Sequence, residues 1–231
     1  MPDRTPALAI VGYGKMGRLI EQLAPEYGFS VGARYDVDRP EPLDNIDVAV
    51  EFSAPGAVLS NVEMLAVRGI PVVIGTTGWL EHLDRVREVV EFHNSAAVWS
   101  PNYSIGVNVF THLVSEAARL FTNEKGYGAW AWEIHHNTKK DAPSGTLLKL
   151  VETMRLAGYE RAIDVSSNRA GTHPGTHEIG FDSAADTVTL RHTARSREGF
   201  ARGALKAAQW VMGRKGLFEF SEVLFGRSRH V

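Results

Sequence analysis

Cysteine is absent from all 231 residues, which excludes disulfides, thiol nucleophiles and thiolate metal sites. An excess of either charge is missing too. With 25 basic and 27 acidic side chains the net charge is -2, so nothing draws the chain as a whole to nucleic acid or an anionic membrane. Any anion site has to be local, built from a loop, a helix end or a few side chains. No stretch approaches the roughly 18 uninterrupted apolar residues that suggest a membrane span. The first residues, MPDRTPALAIVGYG, lack the long apolar run and small-residue cleavage site of a secretory signal. A soluble cytoplasmic protein is the expectation. Hydrophobic residues at 44% and charged residues at 23% suit a globular chain that buries a core in one large or two modest domains.

The first hundred residues alternate short apolar runs with helical patterns. Strands are predicted at 8–11, 30–36, 47–53, 71–77 and 97–102, and helices at 16–27, 56–68 and 80–93. Near-continuous apolar strands separated by helices indicate βαβ units and a parallel sheet covered on both faces. The right-handed crossover rule makes that a doubly wound, Rossmann-like α/β sheet, with ligands at the strand C-termini. The pattern changes near Gly106. A helix at 107–121, a strand at 130–136, a helix at 146–157 and strands at 163–169, 177–182 and 187–193 predict a smaller α+β domain with a mixed or antiparallel sheet. A helix at 200–212 and a short tail complete the chain. The predicted division is a dinucleotide-binding domain over 1–103, a second domain over 104–197 for substrate and oligomerisation, and a return of 198–231 to the first.

Gly12-Tyr13-Gly14-Lys15-Met16-Gly17 is a GxGxxG loop placed between the first strand and the first helix. Gly12 permits the turn, Gly14 lets backbone approach a pyrophosphate, and Gly17 lets helix and strand pack closely. Asp36 ends the second strand 19 residues after Gly17, where an acid accepts bonds from an adenosine ribose. A dinucleotide is the implied ligand, NADH and/or NADPH. Asp36 favours a free 2′-hydroxyl, whereas Lys15, Arg34 and Arg39 lie close enough in sequence to neutralise a 2′-phosphate, so both cofactors stay open.

The segment EIHHNTKKDAPSGT, residues 133–146, holds the second site. His135 and His136, adjacent on a strand, point to opposite faces and so do not ligate one metal together. Lys139 sits four residues after His135 in a loop that can curl back. Ser144 caps a helix beginning at Thr146, whose free N–H groups suit a carboxylate. Imidazole, ammonium and a helix N-terminus make a site for a small anion. The residue types are equally compatible with a polar loop leading into a capped helix. Nine histidines lie scattered without a matching carboxylate spacing, so no metal site is predicted.

This segment resembles the signature of the dihydrodipicolinate reductase (4-hydroxy-tetrahydrodipicolinate reductase) family, E-x-HH-xx-K-x-DAPSGTA, with Leu147 in place of the final alanine. The resemblance runs nearly the whole chain, through EFSAP at 51–55, GTTGW at 75–79, SPNYSIGVN at 100–108, RAGTHPGTHEIGF at 169–181 and the terminal GLFEFSEVL. Val37 stands where some members carry an arginine for the NADP phosphate. The resemblance implies reduction of 4-hydroxy-tetrahydrodipicolinate by NAD(P)H, in the route to diaminopimelate and lysine, by a homotetramer. By position it implies that Gly12 to Gly17 and Asp36 hold the adenosine and pyrophosphate, and that Gly75, Thr76 and Thr77 border the nicotinamide ribose. Ser100, Pro101, Asn102 and Tyr103 would close the ring pocket. His135 and Lys139 would handle protons, while His136, Ser144, Gly145 and Thr146 would bind the dicarboxylate and Arg197 would lie beside them.

Two other readings compete. A different Rossmann reductase, for an amino acid or sugar acid, would share the first hundred residues without needing HHNTKKDAPSGT. A redox-sensing regulator would bind the dinucleotide without turnover, but the chain shows no DNA-binding motif or basic face.

Overall fold

The computed structural model describes residues 4–226; the side chain of Arg39, one of the cations predicted near the adenosine, lies outside what is described. The chain divides into two compact units. The first runs to Ile105 and resumes at Glu198, and the second is Gly106–Arg197.

In the first unit, β1 (Ala7–Val11), β2 (Ser30–Asp36), β3 (Arg39–Pro40), β4 (Val48–Glu51), β5 (Val72–Ile74), β6 (Ala96–Trp99) and β11 (Gly216–Glu219) form one sheet. Its order is β11-β6-β5-β4-β1-β2-β3, parallel except for the two-residue β3. Strands such as Leu8–Ile10 and Val48–Val50 are buried on both faces, which is why they read as unbroken apolar runs. The helices α1 (Lys15–Leu23), α2 (Val58–Val67), α3 (Leu83–Phe92) and α6 (Glu198–Val211) flank this sheet, with α7 (Phe220–Phe225) after β11. One apolar cluster joins α1 and α6 to one side, through Ile20, Leu23, Ala204 and Leu205. The other joins α2 and α3, through Val62, Leu65, Val86 and Val90.

Chain order runs outward from β1 through β2 to β3, then restarts at β4 and proceeds the other way. That reversal opens a crevice at the C-terminal ends of β1 and β4, where doubly wound sheets bind ligands.

Three predicted helices begin later than their sequence pattern suggested or close differently. Residues 55–57 and 80–82 form single 3-10 turns ahead of α2 and α3, and α1 passes at Ala24 into a 3-10 turn that Gly28 closes with φ +73°. Strands predicted to reach Ser53, Thr77 and Asn102 stop at Glu51, Ile74 and Trp99, leaving their motif residues in loops. The short tail was an underestimate. It contains β11, which adds to β6, and α7, whose N-terminus carries a capping box between Glu219 and Glu222.

The second unit is a four-stranded mixed sheet of β7 (Gly128–His135), β8 (Ile163–Arg169), β9 (Thr176–Asp182) and β10 (Thr187–Thr193), ordered β10-β9-β7-β8. β7 and β8 are parallel, while β9 is antiparallel to both β7 and β10. The helices α4 (Ile105–Phe121) and α5 (Gly145–Leu156) supply Phe110, Val114, Leu147, Leu150 and Met154 to its core, against Ala129, Ala131, Ile179 and Phe181. Among the described residues, no helix is long and apolar enough to cross a membrane.

Candidate active site

In the first unit, Gly12 turns the chain out of β1 with φ +87°. A Cβ there would lie 2.3 Å from the carbonyl oxygen of Phe52, so no larger residue fits. Gly17 is equally crowded: its Cβ would meet the Gly12 carbonyl oxygen at 2.5 Å. Gly14 differs, because a Cβ there would meet nothing within 4 Å. The fold itself therefore does not require glycine at 14, whereas a close-approaching pyrophosphate does. Gly14 also begins α1 with no side-chain cap, which leaves the helix N–H groups facing the crevice without a hydroxyl or carboxylate of the chain.

A pocket of about 450 Å³ opens here, lined by Gly14, Lys15, Met16, Phe52, Ser53, Pro55, Gly75, Thr76 and Thr77. It unites the glycine loop with the loop after β5. Gly75 lets the Phe52 ring pack directly on the backbone, since a Cβ there would lie 2.1 Å from the ring and push it aside. Thr76 accepts a hydrogen bond from the Ser53 N–H at 2.8 Å, and its carbonyl accepts one from the Trp79 indole at 2.8 Å. Asp36 accepts backbone bonds from Tyr13 and Val37, both at 2.9 Å, which fixes its carboxylate beside the loop while leaving lone pairs for a ligand. Arg34 is committed elsewhere, to Glu21, which also takes the Tyr13 hydroxyl.

The Ser100–Tyr103 turn does not line this pocket. Ser100 and Asn102 brace each other, and Asn102 accepts the Ser104 N–H at 2.8 Å. Pro101 is exposed. Tyr103 is core: fully packed against Phe220, its hydroxyl is shared between the carbonyls of Ile74 and Val98.

In the second unit, the alternation along β7 puts Ala129, Ala131, Glu133 and His135 on the buried face. On β9 the same face carries His177, Ile179 and Phe181. Register sets Glu133 opposite His177 on one side and opposite Ser167 on the other, with His135 opposite Arg169. Glu133 is fully buried. Its Oε1 accepts from the Ser144 N–H at 2.9 Å, the Ser167 hydroxyl at 3.0 Å and the Arg169 guanidinium at 2.8 Å. Burial by itself would raise this carboxyl, but those donors overcome it and hold the pKa at about 2. Burial lowers His135 and takes His177 down to about 4, so both are neutral at pH 7.

The residues of 136–146 divide in role. Ser144 is buried and caps α5, accepting from Leu147 N–H at 3.2 Å, and its hydroxyl also lies 3.2 Å from His177 Nε2. That hydroxyl supports the site from behind. Lys139 bonds the Asp141 carboxylate at 2.8 and 2.9 Å, which holds that carboxyl below its ordinary pKa. His136 leaves the strand and pairs with the Thr138 hydroxyl at 2.7 Å. Thr146 is half-buried in the first turn of α5, and Arg197 is exposed at the end of the unit. Glu133, Ser167, Arg169 and His177 were not predicted as site residues. Their signal was present in the period-2 pattern, which sets a carboxylate and two imidazoles on otherwise apolar strand faces.

A glycine-loop pocket at the switch point of a doubly wound sheet, with a separate α+β unit rich in titratable groups, defines a dinucleotide-dependent oxidoreductase. Residues 7–103 match the family profile described as dihydrodipicolinate reductase, N-terminus, and residues 106–224 match the one for its C-terminus. A 4-hydroxy-tetrahydrodipicolinate reductase of Christiangramia forsetii is 36% identical, covering 94% of this chain and 97% of that one. One from Methanosarcina mazei is 37% identical over 85% of this chain and 80% of its own. The structure of dipicolinate-bound dihydrodipicolinate reductase from a Paenisporosarcina species has the same fold, with TM-score 0.78, 22% identity and coverage of 94% and 98%. The chain belongs to the dihydrodipicolinate reductase family, whose members reduce 4-hydroxy-tetrahydrodipicolinate with a nicotinamide dinucleotide on the way to diaminopimelate and lysine.

Proposed function

We propose that the first unit's pocket holds the nicotinamide dinucleotide and that the second unit's segment 135–146 binds the dicarboxylate substrate and moves its protons. One observation carries the second half. Lys139 already holds a carboxylate, that of Asp141, a few residues before the start of α5, so the ammonium has the chemistry a substrate carboxylate needs and the free N–H groups of the helix end lie close by in sequence. Dipicolinate, present in the Paenisporosarcina structure, is a dicarboxylate of this kind. Substrate would displace Asp141 from Lys139 and take its place.

The substrate loses its 4-hydroxyl as water to leave a conjugated imine. The dihydronicotinamide, when bound, supplies a hydride to ring C4. As the electron pair moves toward the ring nitrogen, the Lys139 ammonium stabilises the developing charge and gives a proton to the enamine. His135, kept neutral by burial, accepts a proton from solvent and relays it to the Lys139 amine, so that each turnover takes up one proton. Glu133 and Arg169 hold the strand ends and the loop in register, since Arg169 bridges Glu133 and the Asp141 carbonyl. Gly145 and Thr146 take the substrate's carboxylate, with His136 beside them.

The same reading extends to cofactor choice. Asp36 and Val37 stand where a 2′-phosphate would arrive, and Arg34 is tied to Glu21, so NADH is used at least as well as NADPH. A homotetramer joined through the second unit belongs to this reading, as does a cytoplasmic setting. Turnover of His135→Ala and Lys139→Ala, measured beside their NADH affinity, tests the role assignment.

A further inference from the structure

We infer that Glu133, His135 and His177 form a three-ligand site for a zinc-like divalent cation, buried in the second unit. Three ligand atoms converge: His135 Nε2 and His177 Nε2 are 3.3 Å apart, and Glu133 Oε2 lies 3.4 Å from the first and 3.3 Å from the second. Charge-assisted hydrogen bonds draw such atoms to about 2.7–2.9 Å. A tetrahedral zinc with bonds of roughly 2.0–2.2 Å instead sets ligand–ligand edges of about 3.3–3.5 Å. The triangle has the dimensions of one tetrahedral face.

A second observation points the same way. Glu133 Oε2 is fully buried and accepts no hydrogen bond, while Oε1 of the same carboxylate takes three donors. Ser144, Ser167 and Arg169 thus orient the carboxylate with one oxygen left over, as outer-shell partners do around a metal ligand. Two imidazoles and one carboxylate suit zinc, cobalt or nickel better than magnesium or calcium. The ligands escaped the sequence reading because two lie two apart on one strand and the third arrives from its neighbour.

Occupation would fix His135 Nε2 on the ion and stop it cycling protons, so zinc should inhibit turnover. That consequence, unlike binding, rests on the proposed role of His135.

The test uses tag-free, metal-stripped full-length protein titrated with zinc in a calorimeter, and with cobalt by visible absorption. Outer-shell losses weaken metal sites by roughly 10–100-fold, so losing a ligand in His177→Gln or Glu133→Gln should weaken binding at least about 100-fold. The expected result is one zinc per chain and the intense visible bands of tetrahedral cobalt, both lost in His177→Gln and retained in His82→Gln/His93→Gln. An unchanged far-UV circular dichroism spectrum and a retained cooperative thermal transition show His177→Gln to be folded. No saturable binding, binding unchanged in both ligand variants, or the weak spectrum of octahedral cobalt would overturn the site. Zinc bound there with turnover untouched would keep the site and sink the role of His135.

Discussion

Glu133 and His177 face each other across β7 and β9 as register partners, with His177 Nε2 3.3 Å from Glu133 Oε2. A carboxylate held near pKa 2 sits against an imidazole held near 4, both on the apolar face of one sheet.

That pair gives the protein an acid-sensitive stability. Glu133 has a folded pKa below its unfolded value, so its contribution is complete above about 4.5 and is lost as pH falls toward 2. The shift is worth roughly 3 kcal/mol at neutral pH. His177 is also depressed: the unfolded chain binds its proton first, so stability drops further back, between about 6.5 and 4. Urea denaturation against pH, with chelator present, should show both steps. His177→Gln should shrink the upper one, leaving the smaller part that the likewise depressed His135 and His192 contribute.

Removing Glu133 alone should be costly. Glu133→Ala leaves the Arg169 guanidinium without its carboxylate, and a broken buried pair costs roughly 3–5 kcal/mol. Glu133→Ala with Arg169→Met should recover part of that loss. Equal midpoints for the single and double variants would contradict the pairing.

The two glycines of the turn should separate folding from binding. Gly12→Ala combines a positive φ with overlap on the Phe52 carbonyl and should destabilise by at least about 2 kcal/mol. Gly14→Ala meets open space, so its unfolding midpoint should stay put while NADH affinity falls. Calorimetric unfolding and NADH titration distinguish the cases.

Asp36→Ala tests cofactor choice. A bond to a charged acceptor is worth roughly 1.5–3 kcal/mol, so kcat/KM for NADH should fall about tenfold or more while that for NADPH holds or rises. An equal loss with both cofactors would remove Asp36 from the ribose.

Much of the fold was legible because the pattern is local. β2, β8 and β10 occupy the residues their sequence predicted. β11 was hidden: four residues whose strand character comes from pairing with β6, about 120 positions earlier in the chain, as in Phe218 beside Val98. The site divides the same way. His135, Lys139 and Gly145 share one segment, whereas His177 and Arg169 reach Glu133 only through the register of three strands. Ser144 and Tyr103 were visible as residues but not as buried supports, which depends on what packs over them.

The central claim is tested most directly by following NADH and NADPH oxidation with enzymatically generated 4-hydroxy-tetrahydrodipicolinate, for the natural chain and for His135→Ala and Lys139→Ala. The natural chain is expected to oxidise the reduced cofactor rapidly. One lost acid–base group should slow turnover by about 10²- to 10⁴-fold in each variant, with NADH binding intact. No oxidation of either cofactor, or undiminished turnover in both variants, would contradict it.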